Sequence, residues 1–413
     1  VAGQFLGVRA LAAIGSTGSL MFFVTGWLNG LSSGFAILVA QWFGAKKYDR
    51  MRHYVAMSIY LMVAFAVSMT IGFEIANRPI LHLMNYSEEI MPDVTSYMGI
   101  IYAGLIVTAA YNALAAFLRA LGDSKSPLYF LIISAVINVL LDIVFIIYVG
   151  MGVEGCAYAT VIAQAISAVL CLIYIVKKFP ILHLKKENFT VSFQEMGKLL
   201  ALGIPMALQF SITAIGSMVM QSANNGLGSV CVSGFTAGMR IKQFAMCPFD
   251  AIATSASVFC SQNMGARQPE RIKKGLRQGV AIATIYGLLI GLVLIFGGRT
   301  LSMIFVKKSA ADVLDASGKY LRCLGYFFWS LGILNVSRMV TQGLGYSGRA
   351  VLSGVTEMLA RTIVSLGFVG ALGYAAICFA DQAAWIAACC YIAPTCLHCV
   401  KKVTGILEGN GNR

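Results

Sequence analysis

The stretch from Leu128 to Val149 reads LYFLIISAVINVLLDIVFIIYV, 22 residues with almost no polar side chain. At 1.5 Å of rise per residue, one helix of that length crosses a bilayer. Asn138 and Asp142 interrupt the run; they are four residues apart, so they share one face, about 6 Å apart along the axis. A carboxylate at that depth costs about 2.5–3.5 kcal/mol on insertion scales, so it normally faces a cavity or a partner and marks an ion or proton path. The plainer reading makes the two residues glue between neighbouring helices. Against it, a hydrogen bond between membrane helices returns only about 0.6 kcal/mol on average.

The rest of the chain fits the same solvent. Of 413 residues, 58% are hydrophobic and 12% charged, with a mean hydropathy of +0.79, whereas a soluble domain carries about 25% charged residues. The expected fold class is an all-α polytopic membrane protein. Apolar runs of suitable length predict eleven spans, at 14–42, 55–77, 96–118, 127–149, 153–176, 198–222, 231–260, 277–297, 319–342, 350–372 and 377–400. The longest polar link divides the chain into an amino-terminal bundle (1–176), a cytoplasmic linker (177–197), a carboxy-terminal bundle (198–400) and a cytoplasmic tail (401–413).

A formal charge of +14 raises the question of nucleic acid, and its distribution answers it. Alternate connections and the tail hold 20 of the 31 basic residues, including Lys46, Lys47, Lys185, Lys186, Arg267, Arg271, Lys401 and Lys402. The opposite connections hold 5 basic residues, among them Arg9, together with most loop acids, such as Glu88, Glu89, Asp93 and Asp312. That asymmetry is a topology signal with the basic side cytoplasmic, so no nucleic-acid partner is expected and the carboxy terminus belongs inside. The eleven cysteines sit mostly in apolar runs, where Cys behaves as a small hydrophobe. Cys396-Leu-His-Cys399 lacks the second pair that a zinc site needs.

An internal repeat organises the chain. Gln41 to Arg50, QWFGAKKYDR, aligns without a gap on Gln262 to Arg271, QNMGARQPER, at a shift of 221, which also puts Leu6-Gly7 on Leu227-Gly228. Asn112 and Leu121-Gly122 match Asn335 and Leu344-Gly345 at a shift of 223. The shared basic turn falls on the same side in both halves, so the repeats should be parallel, related by an axis along the membrane normal. The second half has a span before Leu227 whose counterpart would lie before Val1. A preceding helix is therefore expected, giving six plus six, with eleven of twelve in this sequence.

With those residues in view, the chain resembles the multidrug and toxic compound extrusion (MATE) transporters. The resemblance rests on the two six-helix bundles, the Gly-Ala-basic turns, and Leu118 to Pro127, LRALGDSKSP. It rests also on Asn138-x-x-x-Asp142, which is similar to the cation site of the family's amino-terminal lobe. Phe5-Leu6-Gly7, Gly34-Phe35-Ala36 and Gly203-Ile204-Pro205-Met206 look closest to the bacterial MepA-like branch. The resemblance implies an H⁺- or Na⁺-coupled antiporter of the bacterial inner membrane. Such a protein exports bulky, often cationic compounds by alternating access, needs no cofactor, and works as a monomer among membrane lipids. Asp142 and Asn138 would carry the cation, and Na⁺ at Asp142 would be the only metal. The sequence departs from the family where some relatives carry an acid in the seventh helix: the span at 198–222 offers only Gln209, Ser211, Thr213 and Ser217.

Other polar residues inside spans are candidates. Gln164 and Thr160 lie on the span after Asp142 and are expected in its polar network. Glu357 and Arg361 are spaced i, i+4 in the favourable order; they make either an internal ion pair or a second ion or substrate site. Arg361 falls in the place of Asn138 at the 223 shift. Asp250, two residues after Pro248, either lines the cleft or packs, and Arg240 is expected to anchor at the outer surface. A rival carrier reading is a lipid-linked precursor flippase, which needs a strongly basic cavity, whereas most bases here are in loops. An intramembrane enzyme would need converging catalytic groups, yet His53, His82, His183 and His398 lie in loops or near span ends. No catalytic residues are expected, and with no Walker motif ATP is not expected to drive transport.

Overall fold

A computed structural model describes residues 13–14, 17–83, 88 and 90–409, and all regular structure among them is helical. Phe5-Leu6-Gly7, Arg9 and Glu89 lie outside the described residues. In chain order the helices are α1 (Gly18–Gly44), α2 (Tyr48–Leu83), α3 (Met91–Ala103), α4 (Leu105–Ala120), α5 (Lys125–Ile143), α6 (Gly152–Lys178), α7 (Phe193–Asn225), α8 (Ser229–Gly265), α9 (Pro269–Ser302), α10 (Ala311–Gly343), α11 (Ser347–Gly367), the single turn α12 (Val369–Leu372) and α13 (Tyr374–Gly409). Among the described residues ten helices are long and apolar enough to cross a membrane, and α3 with α4 forms an eleventh, broken span.

The span expected at 96–118 is present as this bent pair. The chain bends by 47° at Gly104. A Cβ on Gly104 would stand 2.5 Å from Cγ2 of Val161 on α6, so only glycine lets the bend come this close.

Contacts divide the chain into two compact units, residues 1–207 and 208–413. The division falls inside α7, just after Pro205, and not in the polar link before it. Gly203 and Ala207 explain the position. Cβ atoms on Gly34 and Gly30 of α1 would lie 2.5 Å from the Cα atoms of Gly203 and Ala207, so the first half of α7 is locked backbone to backbone against α1. Within unit 1 the link returns to α2: Arg50 pairs with Glu195 at 2.9 Å, His53 also meets Glu195, and His53 Nδ1 lies 3.0 Å from the Asn188 carbonyl.

The repeat is written in the backbone. After α1, Lys46 N–H bonds to the Phe43 carbonyl (3.0 Å) and Lys47 N–H to that of Trp42 (3.1 Å). After α8, Arg267 bonds to Met264 (3.2 Å) and Gln268 to Asn263 (2.9 Å) in the same way. Both ends are Schellman caps, whose αL residue is usually glycine. Here it is cationic in each half, Lys46 at φ 56° and Arg267 at φ 53°. Gly122 and Gly345, at φ 96° and 91°, close α4 and α10 with an equally matched pattern. A non-glycine residue in αL costs about 1–2 kcal/mol, part of which glycine gives back in chain entropy. Lys46→Gly is therefore expected to stabilise the protein by about 0.5–1 kcal/mol, read as a raised melting temperature in detergent.

Small residues set how closely the helices of unit 2 pack. Gly318, Gly325 and Gly332 recur every seven residues on α10 and face α9. A Cβ on Gly325 would lie 2.5 Å from the Gly291 carbonyl oxygen, and one on Gly291 would lie 2.5 Å from that of Gly325. Lipid is as apolar as leucine, so close approach through small residues is what drives such association. On α8, Gly234 and Gly238 do the same for Ala316 and Tyr320 of α10.

Candidate functional site

In unit 1, α5 and α6 run antiparallel and are joined by a polar ladder. The Ser134 hydroxyl donates to the Ala163 carbonyl at 2.7 Å, and Asn138 Nδ2 reaches Thr160 Oγ1 at 3.4 Å. One rung further, Cys156 on α6 is an ionisable neighbour of Asp142, and Tyr97 on α3 is another. Ser134, Asn138 and Asp142 form a stripe at i, i+4, i+8 facing this seam. The opposite face of α5, including Ile132, Val136 and Val139, is exposed and suited to lipid. Asp142 is half-buried, and its Oδ1 is shielded with no hydrogen-bond partner among the described residues.

Directly after Asp142 the helix changes pitch. Val144–Tyr148 is a π-helical turn, closed by Val149 N–H to the Val144 carbonyl at 3.1 Å. Such turns arise where an element is locally strained and are frequent at functional sites. At its other end α5 is held by Asp123, whose carboxylate accepts from the Ser126 N–H (3.0 Å), the Ser126 hydroxyl (2.7 Å) and the Lys125 N–H (3.2 Å). Partial burial would raise this carboxyl, but the donors outweigh it and hold it below the ordinary range.

Of the residues expected around Asp142, Thr160 meets Asn138. Gln164 does not reach them; its Oε1 accepts from the Thr108 hydroxyl on α4. A further acid within a span, Glu74 of α2, lies near Gly99 of α3, beside Asn77, whose amide donates to the Thr95 carbonyl at 3.0 Å. The rule that flags Asp142, any acid within an apolar run, applies equally to Glu74.

Unit 2 contains a buried chain of alternating charge that local spacing revealed only in part. Lys242 of α8 meets Asp381 of α13 at 2.6 Å, and Asp381 meets Arg361 of α11 at 3.1 Å. Arg361 meets Glu357 at 2.8 Å, and Glu357 meets Arg338 of α10 at 2.7 Å. Asp381 is 0% exposed and none of the other four exceeds 6%. Sequence spacing identified Glu357 with Arg361; it missed Asp381, although an acid within a span is itself the signal. Most bases lie in the connections, but Lys242, Arg338 and Arg361 are buried and ion-paired inside spans.

The fold seats this network through its small residues. Gly238, one turn before Lys242, makes room for the ring of Tyr320, whose hydroxyl donates to Asp381 Oδ2 at 2.8 Å. Arg338 Nε donates to Ser353 Oγ at 2.8 Å. Gly216 of α7 leaves space for Arg361 Nη1, which stands 3.1 Å from where a Cβ would be and has no hydrogen-bond partner among the described residues. The other candidates lie apart from this chain. Gln209 accepts from Gln342 Nε2 at 2.5 Å; Asp250 is accessible and accepts from Asn335 Nδ2 at 3.3 Å; Arg240 is exposed. No group of three metal-ligating side chains occurs among the described residues.

Comparison with known proteins bears on the family and the fold. The family model described as MatE matches residues 1–144 and 205–367. "Probable multidrug resistance protein YoeA" of Bacillus subtilis is 27% identical over 369 residues, covering 87% of this chain and 78% of that protein. An "FAD transporter" of Shewanella oneidensis is 23% identical over 333 residues, covering 80% and 73%. A structure of a multidrug resistance MATE family transporter of the MOP superfamily, in an outward-facing conformation, superposes with a TM-score of 0.91 at 20% identity, over 97% of this chain and 90% of that one. With a duplicated all-helical membrane fold and a family match over most of its length, this chain belongs to the MatE family of multidrug efflux transporters.

Proposed function

We propose that the chain is a cation-coupled antiporter, driven by H⁺ or Na⁺, that exports toxic organic and often cationic compounds by alternating access, with Asp142 as the coupling carboxylate and Asn138 beside it. The observation that carries this reading is the shielded Asp142 Oδ1, without a hydrogen-bond partner among the described residues, at the α3, α5 and α6 seam, two residues before the π-helical turn. A carboxylate held there exchanges a cation against its own charge, and the irregular turn is the segment that repacks with least loss. The basic connections face the cytoplasm in this reading, and the carboxy terminus lies inside. The test is ethidium efflux from cells, with a pH or Na⁺ gradient imposed. Asp142→Asn is expected to reduce gradient-dependent efflux to the level of cells lacking the protein while leaving the amount in the membrane unchanged. Efflux at the wild-type rate would remove Asp142 from the mechanism.

A second reading concerns the substrate. Three cations face two carboxylates in the buried network of unit 2, and Arg361 Nη1 is left without a partner among the described residues. That excess favours an anionic solute, in line with the relative named an FAD transporter, or the pyrophosphate of a lipid-linked precursor. Uptake of FAD and of ethidium by the same proteoliposomes separates the two readings.

A further inference from the structure

We propose that unit 2 carries a binding site for the phosphodiester headgroup of an anionic membrane phospholipid, in the hollow between the start of α11 and the later turns of α13. The hollow has a volume of about 430 Å³ and is lined by Arg349, Leu352, Tyr391, Pro394, Thr395 and His398. Arg349 and His398 line it with nitrogen groups, Tyr391 and Thr395 with hydroxyls, and Leu352 and Pro394 with apolar surface.

Arg349 is the anchor. Its guanidinium has no carboxylate partner among the described residues; it lies 3.7 Å from the Cys399 sulfur and stacks over the Tyr346 ring at 5.5 Å. Lys402 lies over the same ring at 6.0 Å, and Lys401 is exposed next to it. Tyr391 fixes the hollow's floor by donating its hydroxyl to the Arg349 carbonyl at 3.2 Å. The acids of α11 and α13 are committed elsewhere: Glu357 and Asp381 to the buried network, Glu408 to Lys273 at 2.9 Å. Arg349, Lys401 and Lys402 thus form a local positive patch, with the His398 imidazole beside them and no free acid from either helix. It is the charge complement of a phosphodiester, whose planar pair of oxygens suits a guanidinium.

The level and the apolar surface that runs on from the hollow decide between a lipid and a free anion. Arg349 precedes the apolar run of α11, while Lys401 and Lys402 follow that of α13, so the patch sits where headgroups lie. Leu352 and Leu359, 50% and 52% exposed and seven residues apart on α11, continue from it along the span and offer a path for an acyl chain. Basic pockets between helices at a membrane surface bind lipid headgroups in this manner.

The experiment is native mass spectrometry of the purified chain in neutral detergent, titrated with phosphatidylglycerol, phosphatidylcholine or inorganic phosphate. Phosphatidylglycerol is expected to bind in preference to phosphatidylcholine. Arg349→Gln with His398→Gln should weaken it by about fivefold or more while leaving phosphatidylcholine unchanged. Thr395→Trp, which fills the hollow and keeps every charge, should give the same loss, and a melting curve on each variant confirms that it is folded. Equal phosphatidylglycerol binding by the folded variants would overturn the proposal. Displacement of the lipid by millimolar phosphate would do so too, by making the site one for a free anion.

Discussion

Asp381→Ala is expected to destabilise unit 2 by about 3–5 kcal/mol, the usual cost of taking one partner out of a buried ion pair. The alternating chain explains the size. Asp381 is the only carboxylate touching Lys242 among the described residues, and it is one of two on Arg361. Its removal leaves an ammonium buried without a counter-charge and the Tyr320 hydroxyl without its acceptor. The melting temperature in detergent should fall by about 10 °C. Replacing both partners, Lys242→Met with Asp381→Leu, should recover most of the loss, because Arg361 keeps Glu357 and no lone charge remains. A single variant that melts within about 2 °C of wild type would show that the network is solvated and not a structural core.

Gly325→Leu is the second large effect. The added side chain meets backbone on one side and Ile295 on the other, with the Gly291 carbonyl oxygen 2.5 Å and Ile295 Cγ1 2.6 Å from the new Cβ. Neither α9 nor α10 can relax by turning a rotamer, so the helices must separate. Overpacking of this kind costs about 1–3 kcal/mol and more where backbone is involved. The damage also spreads, since Arg338 and Tyr320 reach the charged chain from α10. Gly348→Ala, in the same unit with nothing within 4 Å of the new Cβ, serves as the control that should melt as wild type does. Equal melting of Gly325→Leu and wild type would contradict the close-packed seam.

How far the sequence could be read depends on the distance over which each feature is decided. Span positions, the basic turns at Lys46 and Arg267, and the matched glycines at 122 and 345 are settled by a few neighbouring residues, and each appears in the backbone where the repeat puts it. The pairing of Glu357 with Arg361 was legible for the same reason, because one helical turn brings them together. Lys242 with Asp381 was not, since 139 residues separate them and only the packing of α8 against α10 and α13 closes the gap. The bend at Gly104 escaped because its cause, Val161, lies on another helix. The π-helical turn after Asp142 has no apolar-periodicity signal to announce it. Span edges ran long for a simpler reason: helices such as α8 and α9 continue past the bilayer's thickness into polar, basic sequence.

Asp142 is the residue proposed to exchange the coupling cation. Proteoliposomes holding the purified chain, loaded with ethidium and a pH- or Na⁺-sensitive dye, measure that exchange directly as cation movement driven by the substrate gradient alone. Wild-type protein should move H⁺ or Na⁺ inward as ethidium leaves, and Asp142→Asn, folded by its melting curve, should move neither. Substrate-driven cation movement of equal size in both proteins would contradict the assignment.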